Sequence, residues 1–379
     1  MPLSLEPAQK SQHATWLEIR TDHLLNNLRT LRQHSNSSQV LAVVKANAYG
    51  HGLLPIARAL AGEVNFLGVS SPAEALELKE QRIDTPLLIF GRLFASEIPP
   101  LLADGVRLSV SSLEEAEEIS ACSKSLSRKT PVHVKVDTGM GRLGIPFRDA
   151  LRKIEKMAEL ADIYLEGIYT HFPTAEREDG FTESQLRDFG LLLQALDAKG
   201  IQFPIRHAAN SAASLKWQTP LLNMIRPGLM LYGLYPDDSL RDRALVSPIL
   251  SLKSRILLTK HLKPGESAGY GRTFVAEEST TIAILPIGYS HGYPFSASGR
   301  SWVLYRGKRY PIAGRVSMDY LCVDLGITAT AKAGEEVTLI GRDGEDSIGA
   351  EELAEWSGTI PYEIVTRLIP RLPRIYRAT

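Results

Sequence analysis

Residues 40–52 read VLAVVKANAYGHG: five consecutive aliphatic residues, a lysine, and then a turn with little in it that packs. A short aliphatic run bounded by a turn is the mark of a strand buried on both faces. Lys45 therefore stands where a buried strand ends. A lysine in that place either snorkels to water or is put to use.

Seven similar runs follow: NFLGVS (65–70), PLLIFG (86–91), VRLSV (106–110), PVHVKVD (131–137), YLEGIYT (164–170), FPIRH (203–207) and NMIRPG (223–228). Helix signals lie between them. Ser71 with Pro72 reads as an N-cap and first helical residue, Ser112 with Glu115 and Thr182 with Gln185 as capping boxes, and Gly200 as a helix stop. Leu186, Phe189, Leu193 and Leu196 recur at three- and four-residue steps and give one helix an apolar face. Eight strand–helix repeats predict an α/β chain with a (β/α)8 barrel over residues 13–245. From residue 246 to 379 the pattern changes to alternating runs with glycine turns, which predicts a mostly β C-terminal domain. The early run TWLEIR (15–20) has strand character and precedes the first barrel helix, so it is a candidate to pack with that second domain.

The charge balance narrows the partners. Forty-three basic residues meet forty-three acidic ones, so neither nucleic acid nor an anionic membrane is expected. A small-molecule substrate is the default. Cys122 and Cys322 are the only cysteines, too few for a disulfide framework or a Cys-rich metal site, and no metal is expected. No apolar run is long enough to cross a bilayer and the start does not resemble a signal peptide, so a cytoplasmic location is expected.

In a (β/α)8 barrel the active site lies at the C-terminal ends of the strands. Polar residues collect there: Lys45, then Lys135 and Asp137 on one face of strand five with Arg142 beyond them, His171, His207 and Arg226. Charged groups near the inner mouth are costly unless paired or used. After the last two strands come HAANSAAS (207–214) and RPGLMLYG (226–233), the place where barrels often bind phosphate through backbone N–H groups. A strand-end lysine facing a phosphate cradle suggests a phosphorylated aldehyde held as a Schiff base, which is pyridoxal 5'-phosphate.

AVVKANAYGHG, KVDTGMGRLG, HAANSAA, RPGLMLYG, YGRTF, LPIGYSHGYP and AGRVSMDYLCVDLG, in this order between residues 42 and 326, resemble the bacterial pyridoxal-phosphate-dependent alanine racemases over essentially the whole chain. The resemblance implies that Lys45 is the Schiff-base lysine and one of two acid/base groups, and that Tyr270 is the other. It implies that Tyr49, Asn210, Ser211, the backbone at Gly228 and Leu229, and Tyr362 hold the cofactor, mainly its phosphate. Arg226 matches the arginine facing the pyridine nitrogen, with His171 against it and oriented toward Tyr270. Because arginine only donates and stays charged to pH ~12, the ring nitrogen stays unprotonated and the cofactor is a poorer electron sink. A free tyrosine with pKa ~10 is ionised about one part in a thousand near neutrality, a deficit of roughly 4 kcal/mol for the site to offset.

The resemblance also implies that Arg142 and the backbone of Met318 bind the substrate carboxylate. Lys135 matches a lysine carbamylated in many family members; an unmodified Lys135 paired with Asp137 is the alternative. Asp319, Tyr289 and Arg374 resemble supporting residues near the way in. Tyr270, Met318 and Asp319 in such racemases serve the other subunit, so a homodimer with shared active sites is implied, converting L-alanine and D-alanine for cell-wall peptidoglycan. Departures are few: Ser317 stands where the family often has cysteine, Pro361 where it often has asparagine, and THFPTAERED (170–179) carries a charged insertion. Two other functions remain: a non-catalytic pyridoxal-phosphate carrier, which would need only the barrel, and a broader-specificity racemase or a decarboxylase of the same fold. Decarboxylases on this barrel generally place a carboxylate where Arg226 stands.

Overall fold

The computed structural model describes residues 12–35, 39–327 and 329–378, so Thr379, the last residue of the predicted second domain, lies outside the described residues. The first strand, β1 (Thr15–Arg20), is followed by eight parallel strands: β2 (Gln39–Val43), β3 (Phe66–Val69), β4 (Leu87–Ile89), β5 (Arg107–Val110), β6 (Thr130–Asp137), β7 (Ile163–Tyr169), β8 (Ile205–His207) and β9 (Met224–Ile225). The spatial order is β5-β4-β3-β2-β9-β8-β7-β6, and β6 pairs back with β5 through Leu108↔Val132 and Val110↔Val134. This is a closed (β/α)8 barrel, and each aliphatic run of the sequence supplies one strand. The last strand is short for a visible reason. Pro227 follows β9 with no N–H to extend the ladder, and its carbonyl accepts from Val43 N instead at 3.0 Å.

Local chemistry explains some helix starts. The Ser71 hydroxyl accepts from Glu74 N at 3.3 Å ahead of Pro72, and the Ser112 hydroxyl accepts from Glu115 N at 3.2 Å. The helix Phe181–Ala198 departs from expectation: Gly180 is its N-cap, Thr182 lies inside the helix, and no Thr182–Gln185 capping box forms. Gln185 is drawn elsewhere, its Nε2 donating to Thr138 Oγ1 at 3.1 Å and to the His171 carbonyl at 3.3 Å. The same helix buries Phe189, Leu193 and Leu196 fully, each burial contributing about 1.5–3 kcal/mol.

Past the barrel come β10 (Leu250–Arg255), β11 (Leu258–Leu262), β12 (Thr280–Leu285), β13 (Trp302–Tyr305), β14 (Lys308–Pro311), β15 (Leu321–Asp324), β16 (Glu336–Asp343) and β17 (Arg374–Arg377). One sheet has the order β14-β13-β16-β10-β1-β17, so β1 pairs antiparallel with β10 (Leu17↔Leu252) and parallel with β17 (Ile19↔Tyr376). Strands β11, β12 and β15 make a second, antiparallel sheet. The C-terminal segment then returns to the barrel mouth. Arg374 donates from Nε and Nη2 to the Gly50 carbonyl at 3.0 and 2.8 Å, and Tyr376 OH donates to the His51 carbonyl at 2.8 Å. The helix Pro361–Arg367 is packed so closely on Gly50 that a Cβ there would stand 2.0 Å from the Val365 carbonyl oxygen. The segment that follows Lys45 is thus clamped from outside.

Candidate active site

That segment has an unusual backbone. Ala46, Asn47, Ala48 and Tyr49 all lie in the left-handed region with φ of 54°, 54°, 52° and 53°. A left-handed turn of L-residues costs about 1–2 kcal/mol per residue. The surroundings hold it: Ala48 N donates to Val44 O (2.8 Å), Gly50 N to Ala46 O (3.0 Å), Asn47 N to a Glu74 carboxylate oxygen (3.1 Å), and Leu53 N to Asn47 Oδ1 (2.8 Å). Strain kept in place this way is typical of functional sites.

The turn delivers Lys45 and Tyr49 into a cavity of about 390 Å³ at the C-terminal mouth of the barrel. Lys135, Arg142, His171, Asn210, Ser211, Arg226, Gly228, Leu229 and Tyr362 line the same cavity. Burial lowers the Lys45 amine from its usual range, and the Arg142 charge adds to the effect. Burial likewise lowers Lys135 to about 8, reinforced by Arg142 and Arg226. Lys135 has no ion pair with Asp137, contrary to one of the two expectations. Asp137 faces the following loop instead, where one carboxylate oxygen accepts from Gly139 N at 2.9 Å, Met140 N at 2.8 Å and Gly141 N at 3.2 Å.

Arg226 is buried and anchored by four contacts. Its Nη1 donates to His207 Nδ1 (2.9 Å), and its Nη2 to Thr170 O (2.9 Å), Ala208 O (3.0 Å) and His171 Nδ1 (3.2 Å). Its Nε–H has no protein acceptor among the described residues. Burial lowers its pKa to about 10, which leaves it charged at neutral pH. His171 is held neutral, its pKa lowered to about 3 by burial and then by Arg226 and Lys135. Since arginine only donates, His171 Nδ1 accepts and its proton sits on Nε2.

Across the mouth, Ser211 Oγ accepts from Gly228 N at 3.0 Å and Met230 N at 3.4 Å. The Tyr49 and Tyr362 rings stand 6.2 Å apart at this end. Burial raises both phenols, Tyr362 to about 12, so both remain hydrogen-bond donors. Gly228 leaves no space for a side chain: a Cβ would meet Tyr49 Oη at 2.6 Å. Asn210 caps the short helix Ser211–Lys216, its Oδ1 accepting from Ala213 N at 3.0 Å.

Residues 19–236 match the family model for the alanine racemase N-terminal domain and residues 249–376 the one for the C-terminal domain. The chain belongs to the alanine racemase family. An alanine racemase of Methanococcus maripaludis is 39% identical over 369 residues, 96% of this chain and 99% of the relative. Alanine racemase 2 of Bacillus subtilis is 39% identical over 371 residues, covering 95% and 94%. Among solved structures, alanine racemase of Clostridium difficile 630 superposes with a TM-score of 0.93 at 35% identity, covering 98% of this chain and 97% of that one. The alanine racemase of Bacillus anthracis with bound L-Ala-P gives 0.90 at 34% identity, covering 99% and 97%. As an alanine racemase, the chain is an isomerase.

The remaining residues that the racemase resemblance picks out lie apart from this cavity. Tyr270 is 72% exposed, Met318 54% and Tyr289 43%, and none lines the cavity of the same chain. Asp319 accepts from Ser290 Oγ at 2.9 Å, and Ser290 N donates to Met318 O at 3.0 Å, so the two loops that carry these residues are tied together. Arg374 holds the Gly50 carbonyl outside the cavity wall. Sequence patterns passed over two further residues, Tyr169, which lines the cavity, and Tyr232, which packs beside Tyr49. Tyr169 packs flat on His207 (4.6 Å between ring centroids, 8° between planes) and lies under Arg226 at 5.3 Å. Tyr232 OH donates to Val43 O at 2.9 Å, and its ring packs at a tilt of 31° against that of Tyr49, 4.9 Å between centroids. In the sequence Tyr169 lies near the end of the strand run YLEGIYT and Tyr232 inside RPGLMLYG, and neither position by itself marks a role.

Proposed function

We propose that this isomerase interconverts L-alanine and D-alanine with pyridoxal 5'-phosphate, using Lys45 and Tyr270 on opposite faces of the α-carbon. The observation that carries the proposal is an imbalance of charge. Four cations, Lys45, Lys135, Arg142 and Arg226, line the cavity with a single carboxylate, Glu176. Such a wall is stable only with anions beside it. A phosphorylated cofactor and an amino-acid carboxylate supply them. The residues suit this cofactor at each end: the Lys45 amine to take its aldehyde, the spare Arg226 Nε–H for an unprotonated ring nitrogen, and the donors of Tyr49, Tyr362, Ser211 and the Leu229 backbone for its phosphate. Gly228, where a Cβ would meet Tyr49, lets the backbone come close. When bound, pyridoxal phosphate withdraws electrons from the substrate's α-carbon and makes its proton removable.

The chain's own groups then handle the proton. Burial and the Arg142 charge lower the Lys45 amine from its usual range, which favours its free-base form relative to an ordinary lysine. Arg142 makes no ion pair among the described residues, which leaves its fork for a carboxylate. Lys135, lowered to about 8, has a free-amine fraction able to combine with carbon dioxide, and a carbamate there would place an anion beside Arg142. His171 carries its proton on Nε2 and can donate a hydrogen bond from it to a phenolate, orienting it. Tyr270, Tyr289, Phe295 and Met318 are all exposed large apolar side chains, with the Tyr289 and Phe295 rings 6.2 Å apart, which supports a second copy of the chain as their cover. Tyr270 of each copy would then reach the cavity of the other, in a cytoplasmic homodimer that supplies D-alanine for peptidoglycan. Arg226, a cation in place of a carboxylate, weighs against decarboxylation. The test is incubation of the cofactor-loaded protein with L-alanine in heavy water. Deuterium at the α-carbon together with D-alanine is expected; neither appearing, while the lysine-bound cofactor absorbance is present, would refute alanine as the substrate.

A further inference from the structure

Arg226, His207, His133 and Glu166 form one hydrogen-bonded line inside the barrel. Arg226 Nη1 is 2.9 Å from His207 Nδ1, His207 Nε2 is 2.9 Å from His133 Nδ1, and His133 Nε2 is 3.2 Å from Glu166 Oε2. Arg107 Nε approaches the same Glu166 oxygen at 3.2 Å. Arg226 follows β9 at the C-terminal mouth, whereas Arg107 opens β5 at the opposite mouth. The line therefore runs the length of the barrel.

Its direction is forced. Arginine only donates, so His207 Nδ1 must accept; a neutral imidazole has one N–H, so that proton lies on Nε2 and is given to His133 Nδ1. By the same logic His133 carries its proton on Nε2 and gives it to Glu166, which as a carboxylate only accepts. Both ends demand the same polarity. Both rings are fully buried, and burial holds each neutral, as this pattern requires. Glu166 stays ionised: burial would raise its pKa, but the His133 hydrogen bond and the Arg107 charge bring it below the usual range.

The barrel makes room for the line. His133 pairs with Gly167, where a Cβ would lie 2.4 Å from His133 Nδ1, and the β6–β7 register shifts between Val132 and His133. Tyr169 lies flat against His207, with its hydroxyl tied to Ser109 Oγ at 2.8 Å. None of His207, His133 and Glu166 lines the cavity.

We infer that Glu166 is a positioning residue for Arg226: through His133 and His207 it fixes the ring tautomers that give Arg226 an acceptor, and so decides which guanidinium N–H groups face the cavity. The effect on turnover rests on the proposed role of Arg226 toward the cofactor; the tautomers do not. The experiment is a long-range proton–nitrogen correlation on the holoenzyme labelled with 15N-histidine, repeated for Glu166→Gln and Glu166→Asp. The wild-type protein is expected to show His207 and His133 both neutral with the proton on Nε2. A proton on His207 Nδ1 would overturn the inference, and this holds even if no variant folds. In Glu166→Gln only the Arg226 end still sets the direction, while the amide can also donate to His133 Nε2 and oppose it. Mixed tautomers are expected, with turnover lowered roughly ten- to a hundredfold at unchanged cofactor content, the size of one hydrogen bond to a charged group. Glu166→Asp should restore single tautomers and most of the turnover. Unchanged tautomers in Glu166→Gln, or mixed tautomers with undiminished turnover, would overturn it. Absence of alanine turnover in the wild type with Nε2–H on both rings would count against the proposed function while supporting the line itself.

Discussion

Replacing His51 with phenylalanine should exchange stability at neutral pH for stability in acid. His51 is fully buried behind the left-handed turn, stacked on Tyr232 with ring centroids 4.6 Å apart. Its Nδ1 lies 2.9 Å from the Ala48 carbonyl and so carries the proton, while Nε2 has no partner among the described residues. A second proton on Nε2 would be a buried charge with nothing to receive it, and burial accordingly lowers the pKa to about 4. The unfolded chain takes up a proton near pH ~6.5. Below that pH the unfolded state binds more protons than the folded one, so stability is undiminished above pH ~6.5 and lost as pH falls toward the folded value. At pH ~4.5 the loss from this one side chain comes to about 2.5 kcal/mol, a substantial share of a typical stability of ~5–15 kcal/mol. Phenylalanine keeps the stack but gives up the ring hydrogen bond. Ala48 O still accepts from the His51 backbone N–H at 3.0 Å, so the cost at pH ~8 is only roughly 0.5–1.5 kcal/mol. The urea midpoints of the two proteins, measured from pH ~8 to ~4.5, should therefore cross between pH ~5 and ~6.5. The other buried histidines, His133, His171 and His207, act equally in both proteins and drop out of the difference. Parallel midpoint curves across the whole range would refute the assignment of the acid sensitivity to His51.

Three further outcomes follow from the site. Mixing unfolded Lys45→Ala and Tyr270→Phe chains and refolding them together should recover up to about a quarter of wild-type activity, since half of the random dimers hold one intact composite site. No recovery from dimers that demonstrably form would show that the two residues act within one chain. Gly228→Ala should weaken cofactor binding at least tenfold and also lower the melting temperature of the cofactor-free protein by a few degrees, because the new methyl group meets buried Tyr49 Oη at 2.6 Å; unchanged affinity by absorbance titration would show that the cradle gives way freely. Supplying 13C-bicarbonate should produce a carbamate carbon signal in the wild type that Lys135→Ala lacks, and a spectrum without that signal would leave Lys135 as a simple amine.

Much of the architecture was legible because its causes are local. Aliphatic runs ending at glycine, proline or charge mark buried parallel strands, and Ser71 with Pro72 and Ser112 with Glu115 start helices through contacts within a single turn. The residues that gather at the cavity were legible too, since a parallel barrel sends every strand end to one mouth. Contacts between segments distant in sequence left no such trace. Four non-glycine residues follow Lys45 in a left-handed turn only because Glu74, Tyr232 and the C-terminal Arg374 and Tyr376 surround it. The anticipated capping box at Thr182 fails because Gln185 finds better partners in Thr138 and the His171 carbonyl, on other loops. Asp137 turns from Lys135 to three backbone N–H groups of its own loop, a geometry that period-two spacing does not encode. The line from Arg226 to Glu166 joins β9, β8, β6 and β7 across the barrel interior. Sequence periodicity determined which residues face inward; only closure of the barrel decided which inward-facing groups meet, because hydrogen-bond partners there are set by distance in space and not by separation along the chain.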